Sequence, residues 1–151
     1  MIQLPHDKNT GFIDSEILAP YQPFGFWDRI KMGGVGSPKT YYISGIGLFD
    51  EIILNKTDLP MVNFEITGLA MLIKLSIQSE CYTVLIPKKD ILKIKSENIL
   101  STNKTLYKNI LHIFIQDKKE DSIVFEFIPG LQNAVEHFFK KEYFSFLTTS
   151  L

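Results

Sequence analysis

The chain has little of what catalysis, metal binding or nucleic-acid binding usually requires. Of its 151 residues, only Cys81 is a cysteine and 3 are histidines. An intramolecular disulfide is therefore excluded, and no set of cysteine, histidine and carboxylate residues has the spacing of a metal site. Arg29 is the only arginine, and the formal net charge is -1. Because nucleic-acid recognition depends on a positive field and on arginine, we expect no nucleic-acid partner.

The chain also lacks a secretory signal and a long apolar run. Residues 1–8 have neither the basic segment nor the apolar segment that begins a signal peptide. The longest apolar stretches are interrupted by Lys74, Lys93 or Glu126, far short of the ~20 residues that span a bilayer. We therefore expect a cytoplasmic protein without stable membrane contact.

Two features resemble catalytic or phosphate-binding motifs but lack the residues that would complete them. Residues 33–39 (GGVGSPK) are glycine-rich, but Pro38 and a strand-like run follow where a phosphate-binding loop needs a helix. Cys81 could act as a nucleophile if the fold placed His112 within hydrogen-bond reach, yet no local signature supports that pair. We expect no enzyme activity, no catalytic residue, no metal ion and no cofactor.

What the chain does have is a large apolar content, 45% of its residues, of which aromatic residues make up a substantial part. This content and the length predict one folded domain, residues 41–151. Residues 1–40 differ, because proline and glycine recur too often for long regular elements. They also contain an aromatic cluster, so we expect an arm that packs at least partly on the domain.

Short strand-like segments fill the chain from residue 41 to residue 128, with turn residues between them. They are residues 41–44, 47–54, 62–67, 69–77, 82–86, 90–95, 110–116 and 122–128. Residues 96–108 are polar and are predicted to form a loop. After Pro129 and Gly130 the apolar residues recur at helical spacing, which predicts a helix over roughly residues 130–145.

These segments predict a mainly β fold. We expect a strongly bent antiparallel sheet, or a partly open barrel, of about seven strands capped by the C-terminal helix. A lipocalin-like or cystatin-like arrangement of helices on a sheet stays open as an alternative. The predicted core consists of Ile43, Leu48, Ile52, Phe64, Ile66, Leu72, Val84, Ile86, Ile113, Ile115, Val124, Leu131, Val135, Phe138 and Phe139.

Two stretches carry a resemblance to a known superfold. Residues 82–94 (YTVLIPKKDILKI) contain a strand that ends in Ile-Pro, a short link with Asp-Ile, and a further strand. Residues 123–128 (IVFEFI) are followed by the predicted helix. Residues 41–146 thus resemble the bacterial PH-like and GRAM-like branch of the pleckstrin-homology-like superfold. The resemblance implies about seven strands and one capping helix, with binding or scaffolding roles.

Members of that superfold bind phosphoinositides, peptides or partner proteins. Those that bind phosphoinositides generally have a lysine- and arginine-rich loop between their first two strands. Here the corresponding loop, residues 55–60, has only Lys56, which is offset by Asp58. The resemblance therefore favours a protein partner over an inositide.

The aromatic residues of the arm offer the clearest functional choice. Phe24, Phe26 and Trp27 either cover the domain or form an exposed hook that contacts a partner protein or a second copy. We expect a non-enzymatic binding or scaffolding module that acts through such contacts. Two alternatives stay open, a carrier that holds an apolar small molecule in a barrel cavity and a weak membrane-surface binder acting through lysine pairs.

Overall fold

The computed structural model describes residues 1–100, 107–118 and 121–151. Nine strands occur within these ranges: β1 (Ile2–Gln3), β2 (Thr40–Ser44), β3 (Met61–Ile66), β4 (Ala70–Ile77), β5 (Glu80–Pro87), β6 (Ile91–Leu100), β7 (Tyr107–Ile115), β8 (Ser122–Phe127) and β9 (Thr148–Ser150). The helices are α1 (Ser15–Leu18), α2 (Phe26–Lys31), α3 (Gly47–Ile53) and α4 (Gln132–Phe139), with 3₁₀ turns at Ala19–Tyr21, Lys88–Asp90 and Glu142–Phe144.

All nine strands belong to one open sheet, in the order β1-β5-β4-β3-β2-β8-β7-β6-β9. Neighbouring strands are antiparallel, except that β9 runs parallel to β6. The predicted fold class, a mainly antiparallel β structure with a C-terminal helix, is confirmed.

One face of the sheet carries the main core beneath α4. Strand β3 alternates half-buried and buried side chains, as a strand with one covered face does. The ring of Phe64 on this strand lies 5.0 Å from the ring of Phe125 on β8 and 5.0 Å from that of Phe139 on α4, centroid to centroid. Edge-to-face packing of this kind favours a dense core.

The N-terminal segment covers the opposite face of β4 and β5. Strand β1 pairs with β5, and Leu4 and Ile13 are buried. They pack in a second apolar cluster with Ala70, Leu72 and Leu85. Strand β4 is therefore covered on both faces, which explains why its sequence is almost continuously apolar.

The prediction of a strand over residues 47–54 is wrong, because α3 occupies this stretch. Leu48, Phe49 and Ile52 recur at helical spacing and turn toward the core. The helix begins at a turn organised by Tyr42, whose hydroxyl accepts the backbone N–H of Ile46 at 2.6 Å and donates to Asp50 at 2.7 Å. Burial and the Asp50 hydrogen bond raise the pKa of Tyr42.

The predicted core is wrong at several positions and confirmed at the others. Ile43 and Leu131 are exposed, whereas Val124, Leu48 and Ile52 are half-buried. Side chains in β2 alternate from the buried Thr40, so Tyr42 points inward opposite Phe125 and Ile43 points outward. The ten remaining residues are buried: Phe64, Ile66, Leu72, Val84, Ile86, Ile113, Ile115, Val135, Phe138 and Phe139.

Two predicted boundaries also change. The predicted loop over residues 96–108 is partly strand, because β6 continues to Leu100 and pairs there with Tyr107 of β7; residues 101–106 lie outside the described residues. The C-terminal helix is shorter than predicted, since α4 ends at Phe139 and a 3₁₀ turn follows at Glu142–Phe144.

The turn between β2 and α3 requires glycine at position 45. Gly45 has φ +109°, and a Cβ there would lie 2.8 Å from both Ile123 Cα and Ser122 O. We predict that Gly45→Ala lowers the free energy of unfolding by about 3 kcal/mol, from left-handed strain plus overlap with backbone atoms that cannot move aside. Urea unfolding measures this change.

Gly130→Ala is the matched control, because Gly130 also has a positive φ (+87°) but an added Cβ would meet no atom within 4 Å. It should lower the free energy of unfolding by only about 1–2 kcal/mol. Equal losses in the two variants would contradict the close approach of this turn to β8.

Candidate functional site

The candidate site is the short helix α2 in the N-terminal segment. Gly25 precedes its first turn, Asp28 lies within that turn, and Lys31 lies in the last turn. This charge order complements the helix dipole. Gly33 and Gly34 follow with positive φ, a backbone geometry that ends helices.

The outward face of α2 consists of three large apolar side chains. Phe26 is 69% exposed, Trp27 72% and Ile30 56%, and no residue of the helix is buried. Their spacing at i, i+1 and i+4 places them on one side of the helix, and the Phe26 and Trp27 rings lie 5.4 Å apart. We call Phe26, Trp27 and Ile30 the α2 face. A contiguous exposed apolar set of this kind is typical of an interaction surface.

The three residues singled out from the sequence divide into two groups. Phe26 and Trp27 belong to the α2 face, whereas Phe24 is half-buried and packs against the main core. The ring of Phe24 lies edge-on to Tyr143 at 6.4 Å. Phe24 therefore attaches the segment to the domain, and the α2 face projects from it.

Lys141 fixes the other end of α2. Its ammonium group donates hydrogen bonds to the carbonyl oxygens of Met32, at 2.9 Å, and Gly34, at 2.7 Å. These carbonyls lie at the C-terminal end of the helix, where a cation is favoured. Burial lowers the pKa of Lys141. At the start of the helix, the Arg29 Nε–H donates to Phe24 O at 3.0 Å.

Sequence reasoning missed Ile30 and Lys141 as parts of this site. Ile30 could have been found, because it follows Phe26 by four residues, one helical turn. Lys141 could not, since more than 100 residues separate it from Met32 and Gly34. Only the packing of the C-terminal segment beside α2 brings them together.

Cys81 and His112 do not form the nucleophile pair considered from the sequence. Cys81 lies on β5 and His112 on β7, with β4, β3, β2 and β8 between them in the sheet. The Cys81 carbonyl oxygen instead accepts a hydrogen bond from the His6 ring. The half-buried Cys81 thiol is free.

His112 instead hydrogen-bonds to Ser122 Oγ at 2.8 Å and to Glu97 Oε2 at 3.1 Å, one on each ring nitrogen. Serine, histidine and carboxylate also form catalytic triads. Here the three residues lie on three adjacent paired strands, with Glu97 on β6, His112 on β7 and Ser122 on β8. The cluster therefore serves best as a cross-strand link between β6, β7 and β8.

The described part of the chain contains neither a metal-binding cluster nor a membrane-spanning helix. No group of three or more histidine, cysteine, aspartate or glutamate residues is placed to hold a metal ion there. Within the same residues, no helix has both the length and the apolar character to cross a membrane.

The anchoring role of Lys141 gives a prediction about α2. Lys141→Met keeps the apolar stem but removes both hydrogen bonds to the helix end, so α2 should gain nanosecond motion. Time-resolved fluorescence anisotropy of Trp27, the only tryptophan, should then show a larger fast component. Lys140→Met is the matched control, since Lys140 is exposed and its side chain makes no described hydrogen bond or ion pair. The same anisotropy decay in both variants would contradict the anchor.

Comparisons of the chain with protein-family models, with curated proteins and with solved structures give no match. Its function therefore has to be inferred from its own residues.

Proposed function

We propose that the protein is a non-enzymatic binding or scaffolding module that inserts the α2 face into an apolar groove of another protein. The observation that carries this proposal is the exposure of Phe26, Trp27 and Ile30 on a helix that is attached to the domain by Phe24 before its start and by Lys141 at its end. A flexible segment loses conformational entropy when it becomes ordered on binding. A helix that is already attached loses much less, so its binding is weakened less.

The size of the α2 face favours a grooved partner over a second copy. An aromatic side chain offers roughly 150–250 Å², so three side chains at 56–72% exposure offer roughly 400 Å². A stable interface needs about 800 Å² from each partner. A groove in the partner provides the remaining interface area, because its walls contact the sides of the helix. Binding of a helix in a groove is a common mode of peptide recognition.

The proposal includes membership of the PH-like superfold, in its bacterial branch. The seven strands β2 to β8, followed by α4, support this assignment because they occur in the order that the resemblance implies. The segment between β2 and β3 contains α3 and no basic cluster, and Lys56 donates to the side chain of Gln78 at 3.0 Å. This arrangement favours protein binding over inositide binding.

The cytoplasm is the proposed compartment, where a lone thiol such as Cys81 stays reduced.

Packing in the core weighs against the carrier alternative. Phe138 lies 5.1 Å from Phe139 and 5.6 Å from Phe144, and both distances join ring centroids in contact. The phenylalanines that would have to line a ligand cavity pack against one another instead. Of the lysine pairs, Lys140 and Lys141 offer little to a membrane surface, because Lys141 is engaged by backbone carbonyls.

Site-specific photo-crosslinking tests the proposal. Benzoylphenylalanine at position 30 should capture a partner in cells of the source organism, and the same group at Leu54, which is 79% exposed just beyond α3, should not. With the purified partner, Trp27→Ala should weaken binding by about thirtyfold, the loss typical of a buried aromatic hot spot. Binding is measured by calorimetry on the full chain.

Three outcomes would contradict the proposal. The first is capture of the same protein from positions 30 and 54. The second is unchanged affinity in Trp27→Ala and Phe26→Ala when circular dichroism shows both variants folded. The third is a position-30 adduct that contains only a second copy of this chain, which would replace the grooved partner with self-association.

A further inference from the structure

A second surface has no residue of the α2 face in its lining and lies where five chain segments meet. It is a groove of about 600 Å³ between the start of β1, the 3₁₀ turn at Ala19–Tyr21, the β3–β4 turn, the end of β5 and the C-terminal segment. Ile2, Leu69, Pro87 and Phe146 supply apolar walls, and Ile2, Leu69 and Phe146 are all exposed. This volume falls within the range of small-molecule sites, about 300–1,000 Å³.

Two lysines give the groove a positive charge. Lys88 and Lys89 belong to its lining, and the lining contains no aspartate or glutamate. The Lys88 ammonium lies 4.0 Å from the centre of the Tyr143 ring and 5.0 Å from that of Phe146. These rings hold the ammonium in place, but they do not neutralise it. Neither lysine forms an ion pair with a described carboxylate, including the nearby Asp90.

From this combination we infer that the groove binds a small amphiphilic carboxylate, with its apolar part against Leu69 and Phe146 and its carboxylate at Lys88. The apolar walls supply burial energy, and a positioned lysine supplies a charge-assisted hydrogen bond.

Other occupants fit the groove less well. A second copy's α2 would bring Arg29 and Lys31 toward Lys88 and Lys89, so like charges would meet. An extended peptide would place backbone polar groups against side-chain carbons that cannot pair with them. A membrane surface would meet Lys89, which is exposed, more readily than the half-buried Lys88. A soluble carboxylate is the occupant that uses both the walls and Lys88.

Three decyl compounds distinguish the contribution of the ligand's head-group charge to binding from that of its alkyl chain. The full chain is titrated with decanoate, decanol and decyltrimethylammonium, each below its aggregation concentration, while amide chemical shifts of residues 69 and 88 are followed. Decanoate should bind saturably at one site and shift both amides. Decanol and the cation should bind at least about tenfold more weakly, because decanol has no negative charge to pair with Lys88 and the cation has the same charge as Lys88.

Variants at Lys88 test whether its ammonium group is what binds the carboxylate of decanoate. Lys88→Met should weaken decanoate binding by roughly ten- to a hundredfold and leave decanol binding unchanged. Lys88→Glu should reverse the preference toward the decyl cation. Lys93→Met is the matched control, since Lys93 is exposed on β6 and lies outside the groove, and it should leave all three affinities unchanged.

Four results would overturn the inference. They are the absence of saturable decanoate shifts, equal weakening of decanoate and decanol in Lys88→Met, no change of preference in folded Lys88→Glu, and binding of decanoate only when it is carried in phosphatidylglycerol vesicles. The last result would assign the groove to a membrane surface instead of a soluble ligand.

Discussion

The attachment of the N-terminal segment to the C-terminal segment is the constraint on which both proposed surfaces depend. Lys141 donates to the carbonyls of Met32 and Gly34, which lie just beyond α2. A helix of six residues has no stability of its own in water. Because this cation holds the end of α2 and Phe24 packs near its start, Phe26 and Trp27 stay exposed on an ordered element.

Tyr143 extends the same support to the other surface. Its hydroxyl donates to Ala70 O at 3.0 Å on β4, and its ring contacts Phe24 on one side and the Lys88 ammonium on another. Burial raises the pKa of Tyr143, so it keeps this donor proton. One C-terminal residue thus positions part of the α2 attachment and the charged end of the groove. The α2 face and the groove are separate surfaces, but Tyr143 contacts Phe24 beside the first and Lys88 in the second.

Local patterns could predict the sheet, while details that depend on long-range contacts could not be read from the sequence. Because apolar and polar residues alternate along β3, Phe64 and Ile66 were correctly predicted to be buried. The inward face of β2 is set by the buried polar Thr40 and by the pairing of Tyr42 with Phe125 of β8, so the more apolar Ile43 was placed in the core and Tyr42 was not. Residues 47–54 fit both a strand and a helix, since a short apolar run does not separate the two. The exposed aromatics of the site were predicted as candidates, but the contact from Lys141 arises only when the chain ends meet.

The most direct test of the account is acrylamide quenching of Trp27 emission in dilute, monomeric protein. Trp27 is the only tryptophan and is 72% exposed, so the signal reports on the α2 face alone. The account predicts the emission of a water-exposed indole and a quenching constant close to that of the urea-unfolded chain. A blue-shifted emission with strong protection from acrylamide would show that the indole is buried in its own domain, and would contradict the account.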